Sequence, residues 1–290
     1  MELCASCIRC LMDRQEERIR GKGTEKDRRE YLRALARIIA DSGDDDSAPV
    51  LVERINQVYR RIFGPLTDYD EIKREFNDLM LSVEPGIRKV MEESGDPLHT
   101  ALVYARAANY IDFGMAGKVE KEVLFELLNQ AAREELEETA YRAFLNDLER
   151  AGSLIYVTDN CGEVVCDRIV AEELLKRFPH LELTVMVRGE KALNDADRED
   201  AAQAGFDRIA RVVDNGCGVA GTPLAYVSEE ARKLLTEADV ILAKGQGNFE
   251  TMHGCGLNIY YAFLCKCDWF QKRFDMEKNK GMFVAERTLL

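Results

Sequence analysis

The sequence predicts an α/β protein, with a helical domain over residues 1–150 packed on a Rossmann-like parallel-sheet domain over residues 151–290. Three observations predict it. Apolar residues in the first half recur at helical spacing. From Ala151-Gly152-Ser153 onward, short strand-like runs alternate with helical ones, the pattern of a parallel sheet with right-handed crossovers. Each of four such runs leads at once into a polar cluster, as at the ligand-binding edge of an open α/β sheet.

The helical half comes first. Tyr31, Leu32, Leu35, Ala36, Ile38 and Ile39 share one helical face. So do Val50, Leu51, Ile55, Val58, Tyr59 and Ile62, and further on Val123, Leu124, Leu127 and Leu128. Asp96-Pro97 is a helix start, with aspartate as N-cap and proline in the first turn. Leu98 to Ile111 then reads as a buried helix. Breaks fall at Gly21-Lys22-Gly23, at residues 42–47 and at Gly64-Pro65.

The expected strands are Leu154–Val157, Leu183–Val187, Ile209–Val213 and Val240–Ala243. Helices are expected over Glu163–Phe178, Ala196–Ala204 and Ser228–Ala238, the last opening on an acidic first turn that suits the helix dipole. Met282–Ala285 is a further strand, antiparallel at an edge.

Composition excludes several classes. The chain has 290 residues, 46% hydrophobic and 32% charged, as in an ordinary globular protein. No apolar run approaches the roughly 18 residues of a membrane span. Met1-Glu2-Leu3-Cys4 does not open a secretory leader, so a cytoplasmic location is expected. The formal net charge of −13 argues against nucleic-acid and membrane partners. It leaves room for a phosphorylated metabolite, because a bound cation reverses the local field. Nine cysteines, an odd number, point to free thiols or a metal site rather than a disulfide framework. No oligomeric state is implied.

The chemistry is expected at the strand ends. Asp159 and Asn160 follow the first strand, and Asn194 and Asp195 follow the second. Asp159, Asn160 and Asp195 are the candidate ligands of one divalent ion, Mg²⁺ or Mn²⁺ by their hard oxygen donors, with Co²⁺ or Ni²⁺ as substitutes. The competing reading makes Asp159 and Asn160 a helix cap. Asp197 and Asp200 fit a helix start better than a metal site. Lys244-Gly245-Gln246-Gly247-Asn248 is a candidate phosphate loop, lysine supplying charge and glycines letting the backbone approach. Gly216–Thr222 is a third loop at the same edge. Asp159-Asn160-Cys161-Gly162-Glu163 lacks the glycine pattern of a dinucleotide site. Cys4, Cys7 and Cys10, with Cys265 and Cys267 far along the chain, could form a second, structural metal site or a redox centre, or simply face a core. His99, His180 and His253 show no hydrolase spacing, and His253 alone lies near the lysine–glycine segment.

Together these motifs carry a resemblance. Thr158-Asp159-Asn160-Cys161-Gly162-Glu163, Leu193-Asn194-Asp195-Ala196, Gly221-Thr222 and Ala243–Glu250 resemble the damage-control phosphatase family, long catalogued as domain of unknown function 89. Asp96-Pro97, Ala107–Gly114 and Cys4-x-x-Cys7 resemble its prokaryotic-type branch. Cys161 and Cys217 depart from the residues usual at their positions. The resemblance implies a metal-dependent phosphatase acting on small phosphorylated metabolites such as sugar phosphates. It implies Asp159, Asn160 and Asp195 as metal ligands, with Asp159, Asp195 and Lys244 catalytic. Asn194, Lys244, Gly245, Gly247, Asn248 and Glu250 would hold the phosphate, and Asn109 and Asp112 would approach from the helical side. The family also includes a proposed S-adenosylmethionine-dependent carboxyl methyltransferase activity, which stands as the alternative beside a cysteine-based metal or redox protein.

Overall fold

Helical spacing in the first half builds seven helices among the residues that the computed structural model describes, 3–43, 46–110, 120–275 and 277–289. α1 (Ala5–Ile19), α2 (Glu25–Ala40) and α3 (Ala48–Phe63) close a small core of their own around Tyr31, Leu35, Leu51 and Ile55. A capping box starts α2, where Thr24 and Asp27 each satisfy the other's backbone N–H. α4 (Asp70–Glu92), α5 (Pro97–Ala107), α6 (Lys121–Ala131) and α7 (Glu138–Leu148) follow. Asp96 caps α5 by accepting the His99 N–H, with Pro97 behind it, as the sequence predicts.

The second half is a six-stranded sheet: β1 (Ser153–Val157), β2 (Glu182–Val187), β3 (Arg211–Asp214), β4 (Val240–Lys244), β5 (Ile259–Leu264) and β6 (Gly281–Ala285). The spatial order is β3-β2-β1-β4-β5-β6. The first five strands are parallel, and β6 pairs antiparallel with β5 at the edge. α8 (Glu163–Arg177), α9 (Arg198–Ala204), α10 (Glu229–Glu237), α11 (Gln246–Met252) and α12 (Asp268–Phe274) make the connections.

Two strands differ from expectation. β3 begins at Arg211 rather than Ile209, because Phe206–Arg208 forms a 3₁₀ turn that buries the Phe206 ring. β5 is an additional strand, a continuous buried apolar run between β4 and β6.

Alternation along the strands divides the core. Leu154, Tyr156, Leu183, Val185 and Leu242 face α4, α5, α7 and α8; Ile155, Val157, Met186, Ile241 and Ala243 face α10, α11 and α12. The first of these cores joins Phe76, Leu102 and Phe144 of the helical half to the sheet without a break. Strand order reverses at β1, which lies between β2 and β4. The crevice beyond the carboxyl ends of β1 and β4 is therefore where this topology binds ligands.

Candidate active site

The ends of β1 and β2 continue as a short zipper beyond the sheet. The Thr158 N–H donates to the Met186 carbonyl at 3.0 Å, Cys161 N–H to the Asn194 carbonyl at 2.8 Å, and Ala196 N–H to the Asp159 carbonyl at 2.7 Å. An antiparallel bridge pairs Asn160 with Asp195. Asp159, Asn160, Asn194 and Asp195, far apart in sequence, are brought side by side. Asn160 Nδ2 donates to Asp159 Oδ2 at 2.7 Å, and Asn194 Nδ2 donates to Asn160 Oδ1 at 2.9 Å. The cap reading fails for Asp159 and Asn160: the N-cap of α8 is Gly162, at φ 72°, with no side-chain cap bond. Asp197 and Asp200 are instead a true capping box on α9.

From the helical half, Asn109 reaches the same place. Its Nδ2 donates to Asp159 Oδ2 at 3.1 Å and to Glu163 Oε1. Asp112 lies outside the described residues.

Lys244 and Asn248 sit otherwise than expected. Lys244 is fully buried. Its ammonium donates to the Ala105 carbonyl at 2.7 Å, to Asp167 Oδ1 at 2.8 Å and to Glu163 Oε2 at 3.4 Å, which engages all three protons. Asn248 donates to the carbonyls of Thr158 and Lys244, while its Oδ1 accepts from Arg188 Nη1 and Thr222 Oγ1. Neither side chain keeps a hydrogen bond for a phosphate; both brace the strand ends from behind. The expected glycine loop is also more ordered than its composition suggests, because Gly247 and Asn248 belong to α11 and Gly245 is its N-cap. Gly245 has φ 81° and ψ 157°, a region open essentially to glycine alone. A Cβ there would come under 3.0 Å from the Asp159 carboxylate. Glu250 accepts from Gln246 Nε2, and Arg14 of α1 is among its charged neighbours.

Three site residues escaped the sequence assignment. Arg188, 2% exposed, follows the last residue of β2. Its Nε donates to Asp195 Oδ2 at 2.6 Å and its Nη1 to Thr222 and Asn248 at 3.1 Å each. Nη2 is buried 3.8 Å from Asp159 Oδ1, with no hydrogen-bond partner among the described residues. Glu163 and Asp167 are buried one turn apart on α8, and Asp167 also accepts from the Tyr156 hydroxyl at 2.7 Å. Their spacing of four on the helix after β1, and an arginine at the end of an apolar strand, are the signals that could have found them.

Four buried carboxylates, Asp159, Glu163, Asp167 and Asp195, thus contact two buried cations, Arg188 and Lys244. Fully ionised, the cluster carries a formal excess of two negative charges. Burial, then the charges of Glu163 and Asp195, push Asp159 up to about 8 against the pull of Arg188. Burial also raises Asp195, with Arg188 opposing, and lifts Asp167 to about 6. Among the described residues no three His, Cys, Asp or Glu side chains are arranged to hold an ion by themselves. The set at this edge is a different one, two carboxylates and a carboxamide. It fits a hard divalent cation that completes its shell with water and substrate oxygens, and two positive charges would balance the excess.

Among the described residues the cysteines form no group of three placed to hold an ion. Cys4 and Cys7 Sγ atoms lie 3.2 Å apart at the start of α1, while Cys10 is exposed. Burial and the Cys4 contact push the Cys7 thiol up to about 12, and burial also raises Cys161 and Cys166, so none of the three is an activated thiolate. His253 stacks on Phe249 with Nδ1 3.0 Å from Glu286.

Comparison with known proteins bears on family and fold. A family model described as the damage-control phosphatase ARMT1-like domain matches residues 3–281. A damage-control phosphatase of Archaeoglobus fulgidus is 32% identical over 251 residues, 83% of either chain. One from Pyrococcus horikoshii is 26% identical over 294 residues, 99% of either chain. The crystal structure of a DUF89 family protein from Pyrococcus horikoshii superposes with a TM-score of 0.83 at 23% identity, covering 99% of both chains, a match of fold.

Proposed function

The chain belongs to the damage-control phosphatase family, and from that membership we propose that it is a divalent-metal-dependent phosphatase of small phosphorylated metabolites, sugar phosphates or their damaged relatives. The observation that carries the proposal is the convergence of Asp159, Asn160 and Asp195 at the point where strand order reverses, in a cluster of four buried carboxylates and two buried cations.

In this reading Asp159, Asn160 and Asp195 hold Mg²⁺ or Mn²⁺, and the ion, when bound, supplies Lewis-acid polarisation of the phosphoryl group. Arg188 orients Asp195 through Nε and offers Nη2 to the phosphoryl oxygens, where a preorganised donor offsets charge that grows during transfer. Lys244 acts indirectly: it holds Glu163, which in turn aligns the amides of Asn109 and Asn160. Gly245 lets the first turn of α11 close over Asp159 without a side chain between them. Asn109 borders the substrate side. Among the described residues no helix is long and apolar enough to cross a membrane. The net charge of −13 favours a small-molecule substrate over nucleic acid or an anionic membrane surface.

The test is phosphate release from p-nitrophenyl phosphate and a panel of sugar phosphates. Metal-stripped protein would be assayed with Mg²⁺, Mn²⁺, Co²⁺ or Ni²⁺ restored, beside Asp159→Ala. Activity restored by metal and absent from the variant is the expected result. Equal turnover by the metal-stripped protein, or by the variant, would sink the assignment.

A further inference from the structure

α4 turns a polar face toward the loops that carry the oxygen donors. Lys73, Phe76 and Asn77 stand at i, i+3 and i+4, so they share that face, and all three are buried. The Phe76 ring lies against the α-carbon of Gly162, where a Cβ would come under 3.0 Å. Asn77 is 0% exposed. Its Oδ1 accepts the Gly162 N–H at 2.6 Å; its Nδ2 donates to Asp200 Oδ1 at 2.8 Å and to Gln203 Oε1 at 2.9 Å. Lys73 Nζ lies 2.7 Å from Asp197 Oδ2 and 2.6 Å from Asp200 Oδ2.

These partners are the anchors of the two donor loops. Gly162 stands between Asn160 and Glu163 and opens α8. Asp197 opens α9 two residues after Asp195. One buried amide therefore ties both loops to a helix from the other half of the chain. A buried amide engaged on both its donor and acceptor sides resists displacement of either partner, because a slip leaves a polar group unsatisfied away from water.

We propose that Asn77, supported by Lys73, is a positioning residue that sets the spacing of the Asp159–Asn160 loop against the Asp195 loop, and with it the affinity of the site for a divalent cation. This rests on the reading of Asp159, Asn160 and Asp195 as the cation's donors. Asn77 touches neither ion nor substrate.

The experiment is Mn²⁺ binding to metal-stripped protein, followed by calorimetry and by the electron paramagnetic resonance signal of free Mn²⁺. Asn77→Asp keeps the side-chain shape and the acceptor for Gly162, but sets a carboxylate against Asp200 and the Gln203 oxygen. Asn77→Asp with Asp200→Asn reverses donor and acceptor across that contact, while Lys73 retains Asp197. Leu35→Ala, in the separate α1–α3 core, is the control for lost stability alone. Disturbing a residue that orients ligands costs about 10–100-fold in metal affinity, and that weakening is expected of Asn77→Asp. The double variant recovers most of it, and Leu35→Ala lowers the melting temperature with affinity unchanged. Should Asn77→Asp not fold, Lys73→Gln carries the same comparison, with weakened Mn²⁺ binding expected. Unchanged affinity in the folded variant, or weakening that Leu35→Ala reproduces or the double variant does not reverse, overturns the inference. Absent binding by the unaltered protein, or equal binding by Asp159→Ala, overturns the reading of the cation site instead.

Discussion

Replacing Gly245 by alanine tests the geometry of the site with a single methyl group. The added carbon would stand under 3.0 Å from the Asp159 carboxylate, whereas ordinary contact begins at 3.4 Å. The two groups must then separate by at least about 0.4 Å, twice the tolerance of roughly 0.2 Å on a metal–oxygen bond. The backbone resists separately, because φ 81° with ψ 157° costs a residue with a side chain about 1–3 kcal/mol. Gly245→Ala should therefore lower stability by about that amount in urea titration. It should cut turnover by about 10–100-fold, since about 1 Å of misplacement can cost two orders of magnitude. Mn²⁺ affinity, read by calorimetry, should fall in parallel. An alanine variant with the original stability and Mn²⁺ affinity would refute the close approach of α11 to Asp159, and with it the role given to this glycine.

Three further outcomes follow from the same structure. Lys244→Met leaves Asp167 and Glu163 buried without their cation and should cost about 3–5 kcal/mol of stability in urea; a loss under about 1 kcal/mol would show that these carboxylates find other compensation. Leu193 has φ 53° and is 47% exposed. A left-handed leucine costs about 1–2 kcal/mol, and glycine returns about 0.5–1 of that through the unfolded chain, so Leu193→Gly should stabilise by up to about 1.5 kcal/mol on thermal melting. A destabilised variant would mean that the leucine side chain does more than fill the turn. Burial opposes ionisation of Glu286, but hydrogen bonds from His253 and Gly254 and the His253 charge hold its pKa below the ordinary 4.5. A carboxyl lowered in the folded state stabilises above its unfolded pKa and loses that contribution as pH falls through the folded value. Melting temperature should therefore fall more steeply below about pH 4.5 in the unaltered protein than in Glu286→Gln; parallel curves would remove the pair from the acid response.

Much of this was legible because the informative groups sit where local pattern changes. Asp159-Asn160 and Asn194-Asp195 are conspicuous as polar residues that end apolar strands, and parallel order carries them to one edge. The strand order itself, with the reversal at β1, follows from no local pattern. The surroundings of Lys244 are hidden for a related reason. A lysine after four apolar residues needs a partner, but its partners Glu163 and Asp167 lie on α8, where helical spacing alone does not mark an acid as buried. Only packing of α8 against β1 and β4 turns them inward. Asn77 was silent because an asparagine within a long amphipathic helix looks like one more polar position; its partners lie 85 and 123 residues away. β5 was overlooked because a short apolar run carries no period, and its flanking helices have seven residues each.

The unbroken core that joins α4, α5 and α7 to the sheet bears on how the chain is made. The helices leave the ribosome first, their apolar faces shaped for strands not yet translated. The sheet half, residues 151–290, follows them, and at roughly 5–20 residues per second it takes roughly 7–28 seconds to add. Throughout that interval Leu102, Phe144 and their neighbours have no completed sheet to cover them, so their apolar faces stay open to water. The small α1–α3 core, closed within itself among the described residues, is able to settle early.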